Sequence, residues 1–314
     1  RSEHCDLHES DYDFESKILV TSNLRSDPAD GRAHAVTHGV FLSRPREGET
    51  VSQTVLVTGG LGKSGRWIVD RLADDHEVHC VDVDHPGFKP VPRKGIDFAA
   101  ADLTDAGEVF DLLTDVQPDT VVHWAAIPAP ERHPGGHVFH NNVAAAYNVL
   151  DAAGRVGADV VNASSEASYG MAFAEETPLP AELPITVTHP QEPEDPYGTG
   201  KVVAEEVAEM VVRRDGVSVT SVRPSWIQYP GEYVCLDSDS LADGAGNCWS
   251  YVDVRDVVSL VVAAVDDPPA GHEPVHAAAA NNYLGRPTLE AVESHFGELP
   301  PEADLSGEAS ALST

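Results

Sequence analysis

The chain has 314 residues, 41% of them hydrophobic, enough for one large α/β domain or two small ones around a buried core. It sets 20 Lys and Arg against 52 Asp and Glu, a net charge of −32, with only five lysines in total. A surface this acidic repels nucleic acid and anionic membranes, so neither is an expected partner. The acid is spread along the chain among apolar strand runs, which argues for a folded protein adapted to high salt and against a disordered acidic tail.

Residues 1–50 are rich in His, Ser, Asp and Arg, and only Lys17–Ser22 (KILVTS) has strand character. They are expected to be a disordered extension or upstream sequence foreign to the natural protein. The alternative is a small accessory segment. The opening RSEHCDLHESDYDF has no apolar signal core, and no run approaches the roughly eighteen apolar residues of a membrane span. Cys5, Cys80, Cys235 and Cys248 form no Cys-x-x-Cys pair, and a cytoplasmic location is expected.

Thr54–Leu72 (TVLVTGGLGKSGRWIVDRL) reads as strand, glycine turn and helix. Glycines 59, 60, 62 and 65 let the backbone turn sharply and leave room for a pyrophosphate at a helix N-terminus, where free N–H groups and the helix dipole favour an anion. Strands are then predicted at Glu77–Val83, Ile96–Ala100, Thr120–Ala126, Asp159–Ala163, Val217–Val222 and Pro274–Ala279. Between them come a helix capped by Asp105 and carrying Val109, Phe110, Leu112 and Leu113, and a long helix Val138–Val156 with Val143, Tyr147 and Leu150 on one face. Further helices are expected over Tyr197–Arg213 and from Tyr251–Asp256 through Ala264. A Pro-rich acidic loop is expected over Glu175–Asp195. This alternation implies a doubly wound parallel sheet, with ligands at the C-terminal strand ends.

Asp82 ends the second strand about twenty residues after the glycines, where a carboxylate can bind adenosine ribose hydroxyls. Val83, Asp84 and His85 follow it, with no arginine to take a 2′-phosphate, so NAD is expected over NADP; Lys63 in the glycine turn is the one feature against this. Tyr197 and Lys201, at i and i+4 of one helix, share a face. Bringing a tyrosine of pKa about 10 to neutrality takes roughly 4 kcal/mol, which a neighbouring ammonium and a positive nicotinamide ring can supply. Ser164-Ser165, at a strand end, can place a hydroxyl beside that tyrosine. His133, His137 and His140 sit in ERHPGGHVFH, whose Pro and two Gly argue for loop and helix-start residues near the substrate. No metal is expected.

With these residues in place, the sequence resembles the extended short-chain dehydrogenase/reductases of the NAD-dependent epimerase/dehydratase group. The matching motifs are TGGLGKSG (58–65), Asp82, DLTD (102–105), HWAA (123–126), NNVAAAYNV (141–149), SSEASYG (164–170), PYGTGK (196–201), RP (223–224) and YVDVRDV (251–257). The resemblance implies a Rossmann fold, with an NAD-binding domain over 51–225. A small substrate lobe would follow over 226–314, holding returning Rossmann elements at 251–280. It implies cofactor contacts at Gly59, Gly62, Gly65, Asp82, Asp102, Leu103, Ala125, Tyr197, Lys201 and Pro224, and catalysis by Ser165, Tyr197 and Lys201. Asn142 would buttress the site, and a homodimer would form through the two long helices. Family members usually continue past residue 314 with another helix, so a shortened C-terminus is expected.

Trp249-Ser250 and Ser225-Trp226 stand where nucleotide-sugar enzymes tend to carry Arg-Asp and Asn, which argues against a bulky nucleotide sugar. Ala167, after Glu166, cannot serve as the second acid of a 4,6-dehydratase. A small lobe and His-Trp-Ala-Ala-Ile-Pro look closer to the uronate or aldose dehydrogenases. The expected activity is NAD-dependent oxidation of a sugar or sugar-acid hydroxyl. The alternatives are a nucleotide-sugar epimerase with tightly held NAD and a non-catalytic NAD-binding protein.

Overall fold

The computed structural model describes residues 52–84, 95–237 and 240–313; the extension 1–50 and the strand expected at 17–22 lie outside them. The seven strands expected from the sequence form one parallel sheet. They are β1 (Thr54–Thr58), β2 (Glu77–Asp82), β3 (Ile96–Ala100), β4 (Thr120–His123), β5 (Asp159–Ala163), β7 (Val219–Pro224) and β10 (His272–Ala277), in the order β10-β7-β5-β4-β1-β2-β3. The chain runs outward from β1 through β2 to β3, then returns to pair β4 with the other edge of β1. That reversal opens a crevice at the C-terminal strand ends.

Alternation along each strand divides the core in two. Val55 and Val57 face α1 (Gly65–Leu72) and α5 (Val254–Asp266), packing with Ile68, Leu72, Val257 and Val261. Leu56 and Val121 face α2 (Ala106–Val116), α3 (Gly135–Val156) and α4 (Pro196–Asp215), packing with Leu113, Val149, Leu150, Ala208 and Val211. Both faces of β4 are covered, and all four of its residues are buried. Asp105 caps α2 as expected, accepting from Gly107 N at 2.8 Å and Glu108 N at 3.1 Å.

The expected face of α3 is corrected by burial. Tyr147 is 44% exposed; α3 instead turns Val138, Asn142, Ala145, Val149 and Leu150 inward. The helix also starts three residues earlier than expected, at Gly135. Several strand ends shift: β4 stops at His123 and β2 at Asp82, leaving Val83 exposed, while β7 and β10 sit about two residues from their expected spans.

The remaining elements build a lobe over the crevice. Parallel β8 (Trp226–Gln228) and β9 (Tyr251–Asp253) extend from β7 and lead into α5. β6 (Glu182–Leu183), inside the expected loop, pairs with β11 (Glu302–Ala303) beyond α6 (Thr288–Phe296). Trp249, fully buried, centres a cluster with Tyr169, Met171, Ile185, Cys248, Val292 and Leu312, so the lobe draws on 169–185 as well as on the C-terminal third.

Candidate active site

The turn after β1 is shaped by what a side chain would strike. Gly59 has φ +68, and a Cβ there would lie 2.6 Å from Ala125 Cα; one on Gly65 would lie 2.1 Å from Gly59 O. The turn therefore packs backbone to backbone against the segment after β4 and against the start of α1. Thr58 Oγ1 lies 2.9 Å from His123 Nδ1 and accepts from Trp124 N, and Trp124 Nε1 donates to Ser64 Oγ at 2.9 Å, tying the two segments together. Burial, then the Lys201 charge, push His123 down to about 3, so this ring stays neutral.

These segments line a cleft of about 1030 Å³, just beyond the ~300–1,000 Å³ usual for a single small ligand. Gly59, Gly62, Gly65, Asp82, Asp102, Leu103, Ala125, Ser165, Tyr197, Lys201 and Pro224, all expected from the sequence, line it together. Asp82 accepts from Leu61 N at 3.0 Å and Val83 N at 2.9 Å, which fixes its carboxylate beside the turn. Asp102 accepts from Thr104 N and Oγ1, and those bonds hold its carboxyl below the usual range. Asn142, buried in α3, clamps Ile127 by accepting from its N–H at 2.8 Å and donating to its carbonyl at 3.0 Å. Lys63, which could have reached a phosphate, pairs with Glu232 at 2.6 Å and lies 4.0 Å over the Tyr229 ring.

At the other end, Ser165 caps a single turn over Glu166–Tyr169, accepting from Ala167 N at 3.1 Å. Asp195 caps α4, with Pro196 in its first turn, and accepts from Tyr197 N and Gly198 N, both at 2.8 Å. This cap sets Tyr197 at the start of the helix, and Lys201 follows one turn later. Lys201 Nζ, buried, donates to Ala163 O at 2.6 Å and lies 5.5 Å from the Tyr197 ring centroid. Burial lowers Lys201 to about 8, with Glu205 opposing. Burial pushes the Tyr197 hydroxyl up to about 12 against a hydrogen bond with Ser165; Asp195 and Glu166 add to the rise.

A buried network behind this site was not read from the sequence. Arg223 grips Glu205 with Nε at 2.9 Å and Nη2 at 2.5 Å, and donates to Tyr169 Oη at 2.8 Å. Glu205 also accepts from Ser164 Oγ at 2.5 Å. Tyr169 Oη lies 2.5 Å from His276 Nε2. Burial drives His276 down to about 4, and the Arg223 pair holds Glu205 below the usual range against burial. Arg223 and Tyr169 lie inside motifs that carry the resemblance, but nothing in their spacing reveals their partners.

The His133 and His137 rings lie 5.1 Å apart at the cleft, while His140 packs on Phe139. His137 and His140 fall inside α3, since Gly135 and Gly136 begin the helix and do not interrupt it.

A family model described as "NAD dependent epimerase/dehydratase family" matches residues 55–232, more than half of the chain. The chain belongs to the NAD dependent epimerase/dehydratase family. Among curated members, a UDP-glucose 4-epimerase of Lactobacillus helveticus is 30% identical over 174 residues, covering 54% of this chain and 50% of the relative. An L-arabinose 1-dehydrogenase (NAD(P)(+)) of Haloferax volcanii is 31% identical over 183 residues, covering 55% of this chain and 66% of that one. The matches thus span about half to two thirds of those relatives. A solved structure of a mutated uronate dehydrogenase is 25% identical, with a TM-score of 0.59 over 74% of this chain and 76% of that one. No helix among the described residues of this family member is long and apolar enough to cross a membrane.

Proposed function

We propose that this family member is an NAD-dependent oxidoreductase acting on a hydroxyl of a sugar or sugar acid, with net oxidation of a free aldose or uronate as the first reading. The observation that carries it is that Ser165, Tyr197 and Lys201 open onto the same cleft as the glycine turn and Asp82. The cleft fits a dinucleotide. Glycines at 59, 62 and 65 keep side chains out of the turn so that the α1 N-terminus can face a pyrophosphate, and Asp82 stands one strand away for a ribose. Asp102, Leu103, Ala125 and Pro224 line the path between, and Lys201 holds the second ribose.

NAD, when bound, supplies the hydride acceptor and a positive charge beside the tyrosine. Tyr197 takes the proton of the sugar hydroxyl, and Ser165 orients the reacting oxygen. Moving Tyr197 from about 12 to neutrality takes roughly 7 kcal/mol at about 1.36 kcal/mol per unit, more than a free tyrosine would need. Lys201 is directed at Ala163 O and contributes mainly by position.

The test is to mix protein and NAD with a panel of free and nucleotide-linked sugars and follow NADH. Accumulation with a free sugar is expected. Tyr197→Phe should lose about 10²- to 10⁴-fold in kcat while still binding NAD; full turnover by that variant would sink the mechanism. Epimerisation is the second reading, favoured by the UDP-glucose 4-epimerase relative. An epimerase would interconvert sugars without accumulating NADH. A cytoplasmic homodimer through α3 and α4 belongs to the same proposal, and sedimentation tests the assembly.

A further inference from the structure

Glu166 follows Ser165 directly, is only 9% exposed, and lines the cleft with Ser165, Tyr197 and Ser225. Ser225 Oγ donates to its Oε2 at 2.8 Å, and its Oε1 has no hydrogen-bond partner among the described residues. The titratable groups that feel its charge are Tyr169 on the same turn, Tyr197 on α4 and Cys248 in the lobe. None is a cation. Burial alone pushes the Glu166 carboxyl well above the usual range, opposed only by Ser225. Asn247 also lines the cleft, and its Oδ1 is buried with no donor. The proton transfer proposed above uses neither residue.

Glu166 Oε1, an acceptor that opens onto the cleft without a donor, calls for a hydroxyl group. A sugar hydroxyl can donate to an ionised Glu166 and accept from a neutral one, so it fits both states. A substrate carboxylate only accepts. Against ionised Glu166 it meets a like charge, and against neutral Glu166 it fits only while the proton stays. The wall that makes ionisation of Glu166 unfavourable also disfavours desolvating a second anion there.

We propose that Glu166 selects the substrate by charge: this end of the cleft takes neutral polyhydroxy sugars in preference to sugar acids, and a sugar acid enters only together with a proton on Glu166. The proposal rests on the sugar-oxidation reading and narrows its substrate class to aldoses.

L-arabinose, D-galactose and D-galacturonate share ring stereochemistry and differ in the substituent at C5, so they isolate the charge. The NAD-loaded full chain should show kcat/KM at least about tenfold higher for the neutral pair than for the acid on the alkaline side of neutrality. The ratio should widen by up to about tenfold per pH unit as Glu166 ionises. Glu166→Gln, uncharged at every pH, should flatten that dependence and narrow the ratio, mainly through KM for the acid. Glu166→Asp should retain the dependence. If Glu166→Gln does not fold, the pH dependence of the ratio in the unmodified protein decides.

A preference for galacturonate, or a ratio that Glu166→Gln leaves unmoved, overturns the proposal. Calorimetric titration of the three sugars into NAD-loaded protein separates it from the parent reading. Neutral preference in binding without NADH formation keeps the selectivity and removes the dehydrogenase reading. NADH formation without preference does the reverse, and no sugar binding overturns both.

Discussion

Lys201 and Glu205 stand one turn apart on α4 and hold two consecutive residues of the same strand end. Lys201 takes the carbonyl of Ala163, and Glu205 takes the hydroxyl of Ser164. Ser165 is thereby placed from behind before any ligand arrives. The arrangement depends on Arg223, which is 3% exposed and needs a buried acid to face. Glu205→Ala leaves that guanidinium uncompensated, and urea unfolding should register a loss of about 3–5 kcal/mol. The folded pKa of Glu205 is lowered, so the stability it contributes is present above 4.5 and lost as pH falls through the folded value. The alanine variant should lose that part of the acid dependence. Lys201 was legible because Tyr-x-x-x-Lys is a local pattern. Glu205 and Arg223 were not, because their pairing joins a helix to a strand and leaves no mark on either element's periodicity.

At the scale of elements, the glycine turn was readable in kind, and the structure supplies the reason for each position. Gly65 touches Gly59 O and has no room for a methyl group. Gly65→Ala should cost at least about 1–3 kcal/mol through overpacking and weaken NAD binding, which thermal melts with and without NAD would read together. A variant with unchanged melting and NAD affinity would refute this account of the turn. The central strands β1, β4 and β5 were visible as apolar runs, because strands buried on both faces cannot hide their composition. Strand ends shifted by one to three residues, since a strand stops where its neighbour stops offering hydrogen bonds. The β6–β11 pair was invisible: Glu182-Leu183 and Glu302-Ala303 are two residues each, and only the fold makes them partners.

Across the whole molecule, charge is the least balanced property. If every Lys and Arg matched one acid, 32 carboxylates would still be left over. Several described arginines on the surface already have partners four residues away, as in Arg71–Asp75, Arg155–Asp151 and Arg213–Glu209. Such pairs contribute only tenths of a kcal/mol each and cannot offset the excess. Screening can: the Debye length falls from about 10 Å at 0.1 M to about 3 Å at 1 M salt. The melting temperature should therefore rise by about 10 °C between low and molar salt, equivalent to ~3 kcal/mol at about 3 °C per kcal/mol. A salt-independent melt would remove the reading of the acidic surface as an adaptation to high salt.

The three described cysteines are free and at most 1% exposed, and they sit in two parts of the fold. Cys80 lies directly beneath the glycine turn, where a Cβ on Gly60 would come within 2.5 Å of its sulfur. Cys235 and Cys248 belong to the lobe around Trp249. Burial raises all three thiols, Cys80 and Cys248 to about 12, so none reacts from the closed state. A thiol reagent therefore clocks opening events in two separate compartments of one chain. The turn after β1 and the lobe around Trp249 each carry their own chemical stopwatch.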